Sequence, residues 1–263
     1  MFLRPYHDNF SDLLWLDKST EKKAPLLSTL NDLREKLTSL NLVIRHEDHT
    51  YNSVPTVLLP FENLKRFETQ TRGIVDIPKL LGGLGGQLTY LGLSSCKLTA
   101  TDLEFLASAS NLHNLAELDI GNNKLRKVWP AFKSFLSKLN KLRILQLETR
   151  DVDPDKLEEF LETLRASNPM LQLIDVTNGG DSTRYSELSF EVFNNVFLSN
   201  LYTLKNLSAA KVGYFVPNYD QETEFSPELK KRLVEERKNK GYPQLHLEFD
   251  RFIYNNRVQG NFE

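Results

Sequence analysis

The motif L-x-x-L-x-L, in which other apolar residues can replace leucine, recurs along most of this chain. Clear copies begin at Leu37, Leu88, Leu115, Leu142 and Leu171, and weaker copies begin at Leu64 and Leu204. Subtracting consecutive start positions gives steps of 27, 24, 27, 27, 29 and 33 residues. A sustained period of roughly 20 to 50 residues is typical of repeat architectures, so the chain is limited to folds that stack similar units.

Each unit combines a predicted strand with a predicted helix. The motif itself has the alternation of a β-strand, and after the Leu88 motif Leu103 and Leu106 have helical spacing. Thr99 and Asp102, just before them, have the spacing of a capping box. Prolines expected in the first turn of helices are Pro55, Pro78, Pro130 and Pro154. These units predict an α/β leucine-rich repeat solenoid, a horseshoe with parallel strands on its concave face and helices on its convex face.

The period divides the chain into three parts of one continuous domain. We expect a partial N-terminal cap with a helical run over residues 1–36, the repeats over 37–212, and a C-terminal cap over 213–263. In the C-terminal cap we expect a loop from Gly213 to Phe225, then a helix that Ser226 and Pro227 begin, and a last strand over 244–249.

Position nine of the repeat usually holds a buried asparagine or cysteine. It is Cys96 in one unit and Asn123 in the next. We therefore expect Cys96, the one cysteine of the chain, to be a packed structural thiol and not a nucleophile. In the following unit this position holds Arg150. We therefore expect the series of buried position-nine residues to be interrupted there.

Composition and motifs argue against several functional classes. The formal net charge of −2 gives no global attraction to nucleic acid. The glycine-rich stretch 82–86 follows a predicted helix and precedes a strand, the reverse of a phosphate-binding loop, so we interpret it as a return turn. His46 and His49 are three residues apart after a strand, unlike the zinc-protease motif. We predict a non-enzymatic protein with no metal site and no cofactor.

The expected location is the cytoplasm, with the nucleus as a further location. The N-terminus lacks the continuous apolar region of a signal peptide, and no uninterrupted apolar run approaches the ~18 residues of a membrane-spanning helix. The single cysteine suits a reducing compartment. No membrane partner is expected.

The third and fifth residues of each motif are predicted to point out of the concave face, because side chains alternate along a strand. The partner-binding strip predicted from them is Tyr90, Glu117, Asp119, Ile144, Gln146 and Asp175. The same rule places on this face Arg66, Glu68, Gly92, Leu173, Asn206 and Ser208. Acidic residues with exposed apolar neighbours predict a protein partner that has a basic patch. Tyr90 is the expected main contact, and Gly92 is expected to leave room for a partner side chain.

The stretch from Leu88 to Leu125, LTYLGLSSCKLTATDLEFLASASNLHNLAELDIGNNKL, resembles the PRAME family (preferentially expressed antigen of melanoma and its relatives) and the vertebrate leucine-rich repeat-containing protein fourteen. In that family a strand ending in serine and cysteine leads into L-T-x-x-D-L-x-x-L. The tail VGYFVPNYDQETEFSPELKKRL is similar to the family's loop before its last helix. The resemblance covers residues 37–250.

The resemblance implies a leucine-rich repeat horseshoe that acts as a substrate-recognition subunit or regulator of a cullin-2 ubiquitin ligase, with roles in transcription, apoptosis or differentiation. Family members are longer, and their elongin- and cullin-docking segment precedes the repeats. This sequence begins almost on the first strand, so we expect the recognition half without the docking half. The alternative is a horseshoe inhibitor that blocks an enzyme partner with its concave face.

Overall fold

The computed structural model describes residues 13–15, 35–44, 61–71, 88–148, 151–177, 196–197, 199–216, 227–253 and 256–262. Several sequence predictions lie outside these ranges and stay predictions. They are the N-terminal helical run, the pair His46 and His49, the helix starts at Pro55 and Pro78, the glycine-rich stretch 82–86, Arg150 at position nine, the N-cap Ser226 and most of the loop from Gly213 to Phe225.

A single sheet of ten strands runs through the described residues, and its strands lie in chain order. The strands are β1 Leu13–Trp15, β2 Ser39–Ile44, β3 Arg66–Thr71, β4 Tyr90–Gly92, β5 Glu117–Asp119, β6 Ile144–Leu147, β7 Leu173–Val176, β8 Ala209–Val216, β9 His246–Ile253 and β10 Asn256–Phe262. Strands β1 to β9 are parallel to their neighbours, and β10 pairs antiparallel with β9. Parallel neighbours require a return connection after each strand. The predicted leucine-rich repeat solenoid is confirmed.

Helices occupy several of the return connections. They are α1 Ala100–Ser108, α2 Trp129–Leu136, α3 Leu157–Ser167, α4 Ser199–Leu201 and α5 Pro227–Asn239. Helix α1 has the predicted capping box, since Thr99 Oγ1 accepts from the Asp102 N–H and Asp102 Oδ2 accepts from the Thr99 N–H. Pro130 lies in the first turn of α2, as predicted. The side chain of Asp153 accepts from the N–H of Asp155 in the turn before α3.

The hydrophobic core lies between the sheet and the helices. In the fourth unit, Leu115, Leu118 and Ile120 are each at most 1% exposed, and they occupy the first, fourth and sixth motif positions. They belong to the same buried cluster as Phe132 of α2 and Leu164 of α3. Burial of one such side chain contributes about 1.5–3 kcal/mol, so a strand turned the other way would lose several kcal/mol per unit.

Strand pairing corrects the predicted start of the seventh unit. Leu173 pairs with Ala209, so Leu207 and not Leu204 has the first motif position. Asn206 and Ser208 were therefore wrongly placed on the concave face, where Ala209 and Lys211 lie instead. The reason is that the sequence allows both frames: Leu204 is also buried, but the frame that begins at Leu207 buries the two following apolar positions completely or almost so.

Both ends of the sheet extend further than predicted. Strand β1 lies within the segment 1–36 that was expected to form a cap. Residues 213–216 belong to β8, although they were predicted to start a loop. The predicted last strand is β9, and β10 follows it as an antiparallel partner that the repeat pattern did not indicate. Strand β10 has no L-x-x-L-x-L motif, so the repeat pattern could not predict it.

Helix α5 lies in the predicted C-terminal cap and is fixed to the last units by Arg237, which is 1% exposed. The guanidinium of Arg237 donates to the carbonyl oxygens of Leu201, Leu204 and Leu207. It also donates to the carbonyl oxygen of Pro243, which follows the helix. One buried side chain thus satisfies backbone acceptors at the end of α4 and before β8.

A buried polar side chain follows each of the strands β4 and β5. Cys96 Sγ donates to the Thr69 carbonyl oxygen at 3.5 Å, and Asn123 Nδ2 donates to the Leu93 carbonyl oxygen at 2.8 Å. In both bonds the acceptor is the sixth motif residue of the preceding unit. Cys96 is 3% exposed, so the predicted packing of this thiol is confirmed. These bonds tie each unit to the one before it.

After β6, Asp151 also links its unit to the one before it. Its side chain accepts hydrogen bonds, whereas Cys96 and Asn123 donate them. The side chain is fully buried. It accepts from the backbone N–H groups of Asn122 at 2.7 Å, Asn123 at 2.9 Å and Leu125 at 3.3 Å, all in the preceding unit, and of Glu148 at 3.2 Å. Burial raises the pKa of Asp151, and the backbone N–H groups oppose that rise. Position nine of this unit is Arg150, and the link to the preceding unit is made instead by the next residue, Asp151.

Replacing Asp151 with asparagine should destabilise the fold strongly despite the identical shape. The asparagine NH₂ group cannot accept, so the N–H groups that faced one carboxylate oxygen lose their buried acceptor, at a cost of about 2–4 kcal/mol. Urea unfolding measures this difference. The matched control is Asp155→Asn, an exposed position where we expect a change below about 0.5 kcal/mol. Equal unfolding midpoints for the two variants would contradict the role of Asp151.

Candidate functional site

The six residues predicted as a binding strip lie together on the sheet face turned away from the helices. Strand pairing aligns Tyr90 with Glu117, Glu117 with Ile144, and Ile144 with Leu173 in one row. The second row aligns Gly92, Asp119, Gln146 and Asp175. We call Tyr90, Glu117, Asp119, Ile144, Gln146 and Asp175 the concave strip. Their side chains are partly exposed.

At one end of the concave strip, Tyr90 is enclosed by three charged residues. The Arg66 guanidinium carbon lies 4.0 Å from the centre of the Tyr90 ring, a cation–π contact. Arg66 Nη1 reaches across the ring to Glu117 Oε2 at 3.2 Å. The Tyr90 hydroxyl donates to Glu68 Oε2 at 3.4 Å. We call Arg66, Glu68, Tyr90 and Glu117 the Tyr90 cluster.

The environment of Tyr90 raises its pKa well above the ordinary value for tyrosine. Burial is the largest cause, and the negative charges of Glu68, Asp119 and Glu117 act in the same direction, while Arg66 opposes them. A tyrosine is already protonated at physiological pH, so the raised pKa extends the pH range over which the Tyr90 hydroxyl can donate to Glu68. The ring is partly covered by Arg66, which the alternation rule places on this face without predicting this contact.

Gly92 does not leave room for a partner side chain, contrary to the sequence prediction. A methyl group at Gly92 would lie 2.8 Å from Glu68 Cγ and 2.8 Å from Tyr90 Oη. The space over the glycine is filled by the protein's own side chains. Gly121 on the same face is similar, because its methyl group would lie 3.3 Å from Glu148 Cγ. The alternation rule correctly predicts that Gly92 faces the concave side. It does not predict that the side chains of Glu68 and Tyr90 cover this glycine.

Farther along the strip, two aliphatic side chains lie in the row next to that of two carboxylates. Ile144 of β6 and Leu173 of β7 are paired neighbours and are both partly exposed. Asp119 and Asp175 lie in the second row on β5 and β7, with Gln146 between them. Asp119 Oδ1 accepts from the Gly121 N–H at 3.2 Å, and Asp175 Oδ1 accepts from Thr177 Oγ1 at 2.8 Å. These bonds fix the orientation of both carboxylates. We call Asp119, Ile144, Gln146, Leu173 and Asp175 the open patch.

Charged side chains on this face are mostly acidic. Among the outward side chains that the structure describes on β3 to β9, and on the residues that directly follow these strands, the carboxylates are Glu68, Glu117, Asp119, Glu148, Asp175 and Glu248, and the cations are Arg66 and Lys211. Arg66 pairs with Glu117, and Lys211 Nζ lies 2.8 Å from Glu248 Oε2. Among these described side chains the carboxylates outnumber the cations, although the whole chain has a formal net charge of only −2. Such a field favours a positively charged partner.

In the part of the chain that the structure describes, no group of His, Cys, Asp and Glu side chains is arranged to hold a metal ion. Within the same residues, none of the helices has both the length and the apolar character needed to cross a bilayer.

Comparison with known proteins finds solved structures of low similarity and no particular family. No model of a known protein family matches this sequence. The chain is similar to the leucine-rich repeat-containing protein LegL7 from Legionella pneumophila, at 13% identity and a TM-score of 0.42, over 94% of this chain and 92% of LegL7. It is also similar to human 5T4 (Wnt-activated inhibitory factor 1, trophoblast glycoprotein), at 15% identity and a TM-score of 0.36, over 82% of this chain and 60% of 5T4.

The fold and its concave face define a leucine-rich repeat solenoid, and this assignment rests on the sequence period and the parallel sheet. The more specific resemblance to the PRAME family is not confirmed by the comparisons and stays a prediction.

Replacing Gly92 with alanine should lower the free energy of unfolding by about 1–3 kcal/mol, because the new methyl group overlaps Glu68 Cγ and Tyr90 Oη. In a Tyr90→Phe background the loss should be smaller, since one of the overlapping atoms is gone. Gly121→Ala is the milder control, with its nearest contact at 3.3 Å. Chemical unfolding of the four variants measures these differences. A neutral Gly92→Ala in both backgrounds would contradict the enclosed arrangement.

Proposed function

We propose that this chain is a non-enzymatic recognition module that binds a protein partner on its concave strip. The observation that supports this most strongly is the pair Ile144 and Leu173, two partly exposed aliphatic neighbours bordered by Asp119 and Asp175. Apolar side chains surrounded by polar ones are typical of the centre of a protein–protein interface.

The scaffold suits this function because its binding residues lie on strands and not on long loops. Tyr90, Glu117, Ile144 and Leu173 come from four consecutive strands, which are spaced about 4.8 Å apart. A surface held by paired strands needs little reordering when a partner binds, so little affinity is lost to conformational entropy.

For the biological role, we propose a PRAME-like substrate-recognition subunit or regulator of a cullin-2 ubiquitin ligase in the cytoplasm or nucleus. The motifs between Leu88 and Leu125 support this proposal. The alternative is a horseshoe inhibitor that covers the active site of an enzyme partner. Both roles use the same face, and they differ in whether elongin and cullin-2 are bound.

Affinity purification from cell lysate followed by mass spectrometry tests both parts of the proposal. Ile144→Lys combined with Leu173→Lys should reduce capture of specific partners at least about fivefold, since two desolvated apolar contacts are replaced by charges. The matched control is Met170→Lys with Val234→Lys, two exposed apolar positions that are 48% and 62% exposed and lie off the strip.

Partners that bind the wild type, the control and the Ile144/Leu173 variant equally would contradict binding on the concave strip. Elongin and cullin-2 among the partners would support the ligase role. Their absence beside other specific partners would contradict that role and favour the inhibitor.

A further inference from the structure

At the end of α2, carbonyl oxygens of one unit are satisfied by a buried side chain of the next unit. Asn168 directly follows α3 and is 2% exposed. Its Nδ2 donates to the carbonyl oxygen of Leu136 at 3.1 Å and to that of Leu139 at 2.7 Å. Leu136 and Leu139 precede Leu142, the first motif residue of their unit, by six and three residues. The end of each of these helices is thus bonded to the end of the other.

Arg237 of α5 makes equivalent bonds at the end of α4. Its Nη1 donates to the carbonyl oxygen of Leu201 at 3.3 Å and to that of Leu204 at 3.0 Å. These two residues precede Leu207, the first motif residue of the seventh unit, by the same six and three residues. Strand β9, which follows α5, is paired in parallel with β8. Helix α5 and β9 therefore occupy the place of a further unit, and Arg237 has the role that Asn168 has inside the solenoid.

The described part of α5 buries few apolar side chains for a helix in this position. The buried side chains of α2 include Trp129, Phe132 and Phe135. Among the side chains of α5 that the structure describes, the buried ones are Leu233 and Arg237. Burial of an apolar face is the main contribution that keeps a helix packed on its neighbours. The packing of α5 therefore depends strongly on the hydrogen bonds of Arg237.

Burial of the Arg237 guanidinium has a cost that opposes these hydrogen bonds. Within the described residues, all of its hydrogen-bond acceptors are backbone carbonyl oxygens. Burial lowers the pKa of Arg237, and Tyr242 opposes this effect. Removing a cation from water offsets much of the free energy that its hydrogen bonds contribute. The packed position of α5 is therefore a small difference between two large and opposite contributions.

We propose that α5 is a latch, a helix that opens away from the solenoid as one unit while β8 and β9 stay paired, and that the bonds of Arg237 keep it closed. Helix α5 lies in the connection between these strands, and their pairing, from Ala209 with His246 to Val216 with Ile253, does not include it. Opening separates Arg237 from its carbonyl acceptors at the end of the last repeat. This inference is independent of the proposed function, because the concave strip lies on the other face of the sheet.

Native-state amide hydrogen exchange of the full chain, measured at increasing low concentrations of urea, tests the inference. We expect the amides of residues 231–239 in α5 to share one opening constant. It should be at least about tenfold larger than the opening constants of β6 and α2. It should also depend only weakly on urea, because a latch exposes little surface when it opens.

Replacing Arg237 with leucine removes the donors and leaves a side chain that suits a helix. We expect the opening constant of α5 to rise at least about tenfold, because the buried carbonyl oxygens lose their donors, while that of β6 changes less than about twofold. The matched control is Lys238→Leu at the exposed neighbouring position, where exchange in α5 should equal that of the wild type.

Equal opening constants for α5 and β6 in the wild type would overturn the inference. Exchange that becomes gradually faster toward one end of α5 would also overturn it, since a latch opens as one unit. An unchanged or smaller opening constant in Arg237→Leu would show that the guanidinium does not keep α5 closed. Faster exchange of α5 and β6 alike, or an unfolded Arg237→Leu chain, would contradict the latch, because Arg237 would then stabilise the whole fold.

Discussion

The buried polar bonds that follow strands β4, β5 and β6 determine the spacing of the repeat units. Cys96 and Asn123 donate to carbonyl oxygens of the unit before them, and the Asp151 carboxylate accepts from three backbone N–H groups of the unit before it. The turns that present these groups are alike: Ser95 and Asn122 have φ of 63° and 61°, and Lys97 and Lys124 have φ of 55° and 57°. Left-handed conformations at non-glycine residues are uncommon, so their repetition shows that the surrounding bonds impose them.

The concave strip depends on this spacing. Hydrogen bonds between successive turns hold the strands before those turns in register. The outward residues of these strands therefore form two straight rows. The leucines alone would keep the apolar side of each strand in the core. They would not determine one arrangement of the units, because apolar side chains of similar volume can pack in several ways. Directional hydrogen bonds to buried groups add the precision, because an unsatisfied N–H or carboxylate oxygen in the core costs 1–3 kcal/mol or more.

Much of this arrangement follows from the leucine period. The period predicts β2 to β7 and the face on which Glu117, Ile144 and Asp175 lie, because alternation along a strand is a local property. It could not fix the frame of the seventh unit, since both Leu204 and Leu207 suit the core. It also could not indicate that Asp151 continues the buried ladder beside Arg150, because that role depends on N–H groups brought together only by folding. Contacts across strands, such as Arg66 over Tyr90, have no signal in the sequence period.

Amide hydrogen exchange measured residue by residue tests most directly whether buried turn bonds hold the repeats together. Asn122, Asn123 and Leu125 lie in a turn after β5, yet they donate to a buried carboxylate. We predict that their amide hydrogens exchange as slowly as those of Leu118 in β5, and at least about tenfold more slowly than those of the exposed turn residues Asn114 and Asn140. If all three amide hydrogens exchange as fast as those of the exposed turns, the buried turn bonds do not hold the repeats together, because the hydrogen bonds to Asp151 would then not persist in solution.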